Sequence, residues 1–210
     1  MSPNIRKIDN DNPDLAIIKE AADIINSDGV VVAPTETRYG LLARADKAAA
    51  VARIYNIKDR KKTSPLSIFV RNARQIGDLA EENEISRKLT GKLLPGPLTL
   101  ILKAHQGIMP AVVNDLRLGI RYSSSRVIAA LMMHVESCLT ATSANISGEM
   151  EIDTVQEIAG VFGDRVDLYL DAGKLDRTSS TVVDCANDGY KILRVGSITE
   201  DEIQKAIMEN

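Results

Sequence analysis

Tryptophan is missing from the sequence and phenylalanine occurs only twice, so no exposed aromatic platform for stacking single-stranded bases is expected. The two cysteines, Cys138 and Cys185, sit in apolar, strand-like surroundings without partners at metal-ligand spacing. That excludes a disulfide framework and a zinc site, and it fits a reducing cytosol. No apolar run approaches the roughly 18 residues that a bilayer crossing takes, and no basic stretch with an apolar one after it opens the chain, so a cytoplasmic protein without membrane contact is expected. The net charge of −3 gives no large excess of either sign, so any anion site must be local. The common nucleotide signatures are also missing. Gly91-Lys92 lacks the spaced upstream glycine of a phosphate loop, and no GxGxxG opens a helix. The only histidines, His105 and His134, stand in no Ser/His/Asp order, and His134 falls inside an expected helix, where a structural role fits it better than a catalytic one.

What is present is ordinary globular material: 210 residues, 44% of them hydrophobic, with no linker, repeat or low-complexity run, so one domain over 1–210 is expected. Asn12-Pro13 reads as the cap and first turn of a helix whose Leu15, Ile18, Ala22 and Ile25 share one face, closed by Gly29. Residues 30–33 form an apolar run ended by Pro34, the pattern of a strand buried on both faces. Further helices are expected over 47–57, 73–81, 85–94, 127–135 and 154–162 and from 200 onwards. Strands are expected over 66–70, 98–103, 118–122, 139–142, 166–170, 181–185 and 191–195. The alternation is α/β, and the close spacing of the last strands predicts antiparallel pairing and a mixed sheet.

Ligands of open α/β sheets collect beyond strand ends. Three such ends carry short hydroxyls, an amide or an arginine: PTETRYG after 30–33, Arg121-Tyr122-Ser123 after 118–120, and Ser143-Ala144-Asn145 after 139–142. Serine, threonine and asparagine also serve turns and helix caps, and at each single site that reading stands beside the ligand one. In IKDRKKTSP, the cations Lys58, Arg60, Lys61 and Lys62 follow a helix and lead into a buried strand. They read either as a solvated face at a helix C-terminus or as phosphate ligands over the sheet. Glu36 lies close to the same region.

Taken in order, PTETRYGLLA, KDR, LLPGPLTLIL, LGIRY, TSANISG and SSTVVD resemble the YrdC-type threonylcarbamoyl-adenylate synthase family from about Val30 to Gly196. The resemblance implies a twisted, open, mixed sheet with flanking helices and a concave basic cavity. It implies an enzyme, a nucleotidyltransferase, that joins L-threonine, bicarbonate and ATP into threonylcarbamoyl-adenylate and pyrophosphate. The threonylcarbamoyl group is then delivered to an adenosine of tRNA by a partner transferase. Position by position, Lys58 and Arg60 resemble the KxR motif and would act on the ATP phosphates; Ser143 and Asn145 resemble the SxN motif facing the nucleotide, and Arg194 would approach it. Thr35, Arg121 and Ser180 would form the threonine subsite, with Arg121 on the carboxylate. No resident metal is implied; magnesium would come with ATP, held by phosphates and water. The chain departs from the family at Lys61, where proline is common, at 122–126, where a proline- and histidine-containing stretch is usual, at Arg38, usually apolar, and at Val195, often proline. The alternatives are a paralogue of the YciO branch with a different substrate, and a double-stranded-RNA or tRNA binding module.

Overall fold

The computed structural model describes residues 3–61, 64–175 and 178–209. Its strands are β1 (Ile5–Lys7), β2 (Val31–Pro34), β3 (Tyr39–Leu42), β4 (Ser67–Phe69), β5 (Ala80–Glu81), β6 (Leu98–Ala104), β7 (Arg117–Arg121), β8 (Leu139–Ser143), β9 (Leu168–Asp171), β10 (Thr181–Asp184) and β11 (Lys191–Arg194). The helices are α1 (Leu15–Asn26), α2 (Ala48–Ile57), α3 (Arg74–Leu79), α4 (Glu84–Leu93), α5 (Arg126–His134), α6 (Val155–Phe162) and α7 (Glu200–Met208). The strands form one mixed, open sheet in the order β1-β9-β2-β3-β8-β4-β7-β6-β10-β11, with β5 added beside β6. Of the late strands, β10 and β11 pair antiparallel as expected, whereas β9 crosses to the far side and lies parallel between β1 and β2.

Alternation along the strands sends side chains to two cores. On β2, Val32 joins the core that packs α2, α3, α4, α6 and α7, while Val31 and Ala33 face α1 and α5. Each large apolar side chain buried this way contributes about 1.5–3 kcal/mol. The second core draws strand residues from β2, β3, β4, β8 and β9 and none from β6, β7, β10 or β11. On β6 and β7 this face, which the second core does not reach, carries Thr99 and Arg121. On β6, Leu98, Leu100 and Leu102 point into the first core and Thr99 points the other way.

Helix α1 is capped by Asp14, whose carboxylate accepts from the backbone N–H groups of Ala16 (2.7 Å) and Ile17 (3.3 Å), and not by Asn12. Asp14 leads because it stands directly before the first helical residue, within reach of the unpaired N–H groups. No helix among the described residues is long and apolar enough to cross a membrane. Both cysteines are free and buried, and burial pushes their thiols up, Cys138 to about 11 and Cys185 to about 12.

Candidate active site

A cavity of about 190 Å³ opens on this sheet face where the second core ends, and residues from all three strand ends singled out by sequence line it, Thr35, Arg121 and Ser143 among them. Its floor takes residues from six adjacent strands: Gly40 of β3, Ala141 and Ser143 of β8, Ser67 and Phe69 of β4, Arg121 of β7, Thr99 of β6 and Val182 of β10. Local pattern named several of these residues, but only the strand order brings them side by side. Register does the fine placement: Phe69 pairs with Arg121 and Ser67 with Gly119. A Cβ on Gly119 would run into the Ser67 hydroxyl and come within 3.3 Å of the Ser67 Cα, so the glycine lets β4 and β7 approach here.

Six of the eight residues singled out by sequence line this cavity: Thr35, Arg60, Arg121, Ser143, Ser180 and Arg194. Arg121 is held on several sides. Its Nη2 donates to Glu36 Oε1 (2.6 Å) and Thr37 Oγ1 (3.2 Å), and its guanidinium carbon lies 4.9 Å from the centre of the Phe69 ring. Among the described residues its buried Nε finds no hydrogen-bond partner, a donor left for a ligand. Arg194 is anchored on Ser180 through Nε and Nη2 to the carbonyl (3.1 and 2.8 Å) and through Nη2 to Oγ (3.1 Å). Ser180 Oγ also meets Thr99 Oγ1 at 3.0 Å. Arg60 donates to the carbonyls of Ser64 (3.2 Å) and Pro65 (2.9 Å). Burial lowers the pKa of Arg60 and of Arg194, so an anion at this site would relieve two poorly hydrated cations.

Of the two remaining residues, Lys58 stands behind the SAN turn and Asn145 is part of it. Lys58 is 1% exposed, and its ammonium is turned to the carbonyls of Ser143 and Asn145 (2.7 Å to the latter) and to Asn145 Oδ1 (3.4 Å). Burial pushes its pKa down to about 7, with the Arg60 charge adding to the shift and Glu151 opposing it. Asn145 accepts from Ser143 Oγ (2.6 Å) and donates to the Glu149 carbonyl (2.8 Å). The amide thus builds the turn on which Ser143 reaches the cavity. Lys61 is exposed, and Lys62 lies outside the described residues.

At the other two strand ends the hydroxyls close turns and caps, and Thr35 does so while lining the cavity. Thr35 Oγ1 donates to the Arg38 carbonyl (2.7 Å) and accepts from the N–H groups of Thr37 (3.1 Å) and Arg38 (3.2 Å), closing the β2–β3 turn while lining the cavity. In the Tyr122-Ser123-Ser124-Ser125-Arg126 stretch, Ser125 caps α5 by accepting from Ile128 N–H (3.4 Å), and Ser123 donates to Glu36 behind Arg121. His134 ends α5 with its carbonyl on Asn26 (3.0 Å), and His105 meets the Gly77 carbonyl (3.1 Å). Sequence reasoning did not find Glu151, Ser179, Thr99 or Phe69 in the lining. The alternation of LTLILK is a local signal that could have set one of them, Thr99, apart.

Gly196 holds the wall formed by Ser179 and Ser180. A Cβ there would strike the Ser179 carbonyl and lie 2.6 and 2.7 Å from the Ser180 carbonyl carbon and oxygen, all of them backbone atoms. Gly196→Ala is expected to cost about 1–3 kcal/mol of stability, the ordinary range for an overpacked site, and to displace Ser180 from Arg194. Urea unfolding with nucleotide titration checks this, and an unchanged midpoint with unchanged affinity would contradict the close approach.

The fold is shared with known proteins. The family profile covering Sua5, YciO and YrdC, described as telomere recombination, matches residues 23–196. A Methanocaldococcus jannaschii protein, provisionally named a threonylcarbamoyl-AMP synthase, is 39% identical over 170 residues, 80% of each chain. The crystal structure of Pyrococcus abyssi Sua5 complexed with L-threonine superposes with a TM-score of 0.91 at 30% identity, covering 98% of this chain but 61% of that longer one. Escherichia coli YciO shares the fold, with a TM-score of 0.86 at 24% identity, covering 93% of this chain and 96% of that one. With most of its length matched by one profile and a relative 39% identical over four-fifths of both chains, the chain belongs to the Sua5, YciO and YrdC family.

Proposed function

We propose that the chain is a threonylcarbamoyl-AMP synthase, a nucleotidyltransferase of tRNA modification acting on L-threonine, bicarbonate and ATP. One observation carries the reading: Arg60, Arg121 and Arg194 converge with the hydroxyls of Thr35, Ser143 and Ser180 on one cavity, in a family with relatives of that name. Arg121 takes the amino-acid carboxylate, and Thr35 and Ser180 flank its side chain. Arg60, Arg194 and Ser143 take the phosphates, and Lys58 and Asn145 belong to the same nucleotide subsite by shaping the turn that presents Ser143.

The chemistry asks the protein mainly to position and neutralise anions. Carboxylated threonine is itself a nucleophile: a carbamate oxygen attacks the α-phosphorus, the bond to the bridging oxygen breaks, and pyrophosphate leaves. The arginines hold the reacting anions against their mutual repulsion. No His/Cys/Asp/Glu cluster among the described residues could hold a metal, and Glu36, Glu151 and Asp153 are each paired with arginine. That donor set does not fit a resident ion. In this reading ATP comes as its magnesium salt, with the ion carried on phosphates and water. The product passes to a transferase that modifies tRNA.

The test is pyrophosphate release from ATP with each amino acid in turn, with and without bicarbonate. Release that needs both threonine and bicarbonate is the expected result. Release without threonine favours a paralogue acting on another substrate, a reading that draws on Arg38, which places a charge in the cavity wall. No release under any condition would leave a nucleic-acid binding module.

A further inference from the structure

Two hollows share one wall. Glu151 lines the cavity described above, and it also lines an outer hollow formed with Ile152, Asp153, Thr154, Glu157 and Lys174. Its neighbour Met150 is 89% exposed, which places this stretch between the site and bulk water. The stretch is anchored at both ends: the Glu149 carbonyl accepts from Asn145 Nδ2 (2.8 Å) and the Asp153 carbonyl from Leu175 N–H (2.8 Å). Between those anchors, among the described residues, no backbone hydrogen bond reaches 150–152. Side chains hold it instead. Arg38 Nε is ion-paired with Glu151 Oε2 at 3.1 Å without the alignment of a hydrogen bond, Arg38 Nη1 is bonded to Asp153 Oδ1, and Ser179 Oγ donates to Glu151 Oε1. Arg38 is a firm post for such a strap. Its own carbonyl and N–H are tied to Thr35 in the turn between two fully buried strands.

We infer that Arg38 is a positioning residue that clamps the 149–153 stretch over the cavity and so keeps water from the activated intermediate; this rests on the synthase reading. The reaction makes such a cover valuable, because its product is hydrolysable. Water can add to the carbamoyl carbon, the bond from that carbon to the phosphate oxygen breaks, AMP leaves with the electron pair, and the water proton goes to solvent. The carbamate set free takes a proton on nitrogen and splits into threonine and carbon dioxide. Each such event consumes one ATP without yielding product. Expelling water from a closed site is a recognised guard against this kind of side reaction. The two carboxylates on Arg38 are partly exposed, with side chains 32% and 29% accessible, so the clamp is strong enough to hold and weak enough to open for substrates.

The experiment uses the full chain and measures AMP formed per threonylcarbamoyl-adenylate at early times, for wild type, Arg38→Met, Arg38→Lys and Glu151→Gln. Arg38→Met is expected to raise that ratio about fivefold, the shift that loss of an ordinary, partly exposed ion pair gives to an open population. Arg38→Lys retains one pairing and should fall between Met and wild type, and Glu151→Gln should also raise the ratio. A residue that only stabilised the fold would lower the pyrophosphate rate and leave the ratio unchanged. An unchanged ratio in folded Arg38→Met overturns the inference; should that variant not fold, an unchanged ratio in both Arg38→Lys and Glu151→Gln overturns it equally. Wild type that releases no pyrophosphate with threonine and bicarbonate sinks the synthase reading and this inference together, whereas an active wild type with unchanged variant ratios sinks this inference alone.

Discussion

Arg121→Lys is expected to lower threonine-dependent kcat/KM by about 10- to 150-fold, equivalent to roughly 1.5–3 kcal/mol, while ATP affinity changes little. The substitution keeps a cation beside Glu36, so the part-buried carboxylate retains a partner and the fold should survive. It removes the planar fork that lets one side chain bond Glu36 and Thr37 through Nη2 and still present Nε to a ligand. It also replaces a guanidinium stacked 4.9 Å from the Phe69 ring centre with a mobile ammonium, which loses orientation on that floor. Isothermal titration with threonine and with ATP, alongside turnover, separates the two subsites. Equal losses for both ligands would show that Arg121 supports the cavity as a whole, and undiminished threonine use would remove it from the amino-acid subsite.

How far the sequence could lead is plain from two strands and one wall. The 98–103 run is legible as β6 because it is almost wholly apolar, and Leu98, Leu100 and Leu102 are buried in the first core. The YGLL strand β3 was not: its first residues were taken up in the PTETRYG turn, and β1, exposed or half-buried along its three residues, offered no apolar run. At the site, the residue types at strand ends were readable because hydroxyls and arginines are conspicuous beside buried apolar runs. Their arrangement was not. Which strands lie side by side is a non-local outcome, and it joins residues of six strands and three strand ends in one cavity on the sheet face. The Arg38 clamp depends on partners 113 and 115 positions away in loops without periodicity, so no local pattern could announce Glu151 or Asp153.

Lys58→Met is expected to reduce turnover about 100-fold, or about 2.7 kcal/mol of transition-state stabilisation, with Lys61→Ala nearly silent because that side chain is exposed. The thioether keeps most of the apolar stem but leaves the carbonyls of Ser143 and Asn145 without their donor, and these carry the turn that brings Ser143 to the cavity. A stability loss of about 1–3 kcal/mol should accompany it, since buried acceptors are left without a donor. The pH dependence tells this buried amine from a surface one. Its pKa is pushed down to about 7 in the folded chain from the ordinary 10.5, so between those values the unfolded chain binds more protons than the folded one. Folding stability must then rise with pH across that window, by up to about 1.4 kcal/mol per unit, and level off below it. The difference in urea stability between wild type and Lys58→Met should therefore widen as pH rises from 7 towards 10, while the mutant alone lacks this slope. A difference that stays flat would mean that Lys58 keeps its ordinary pKa, as an amine open to water would. Lys58 would then be free to meet phosphates directly instead of acting through the turn.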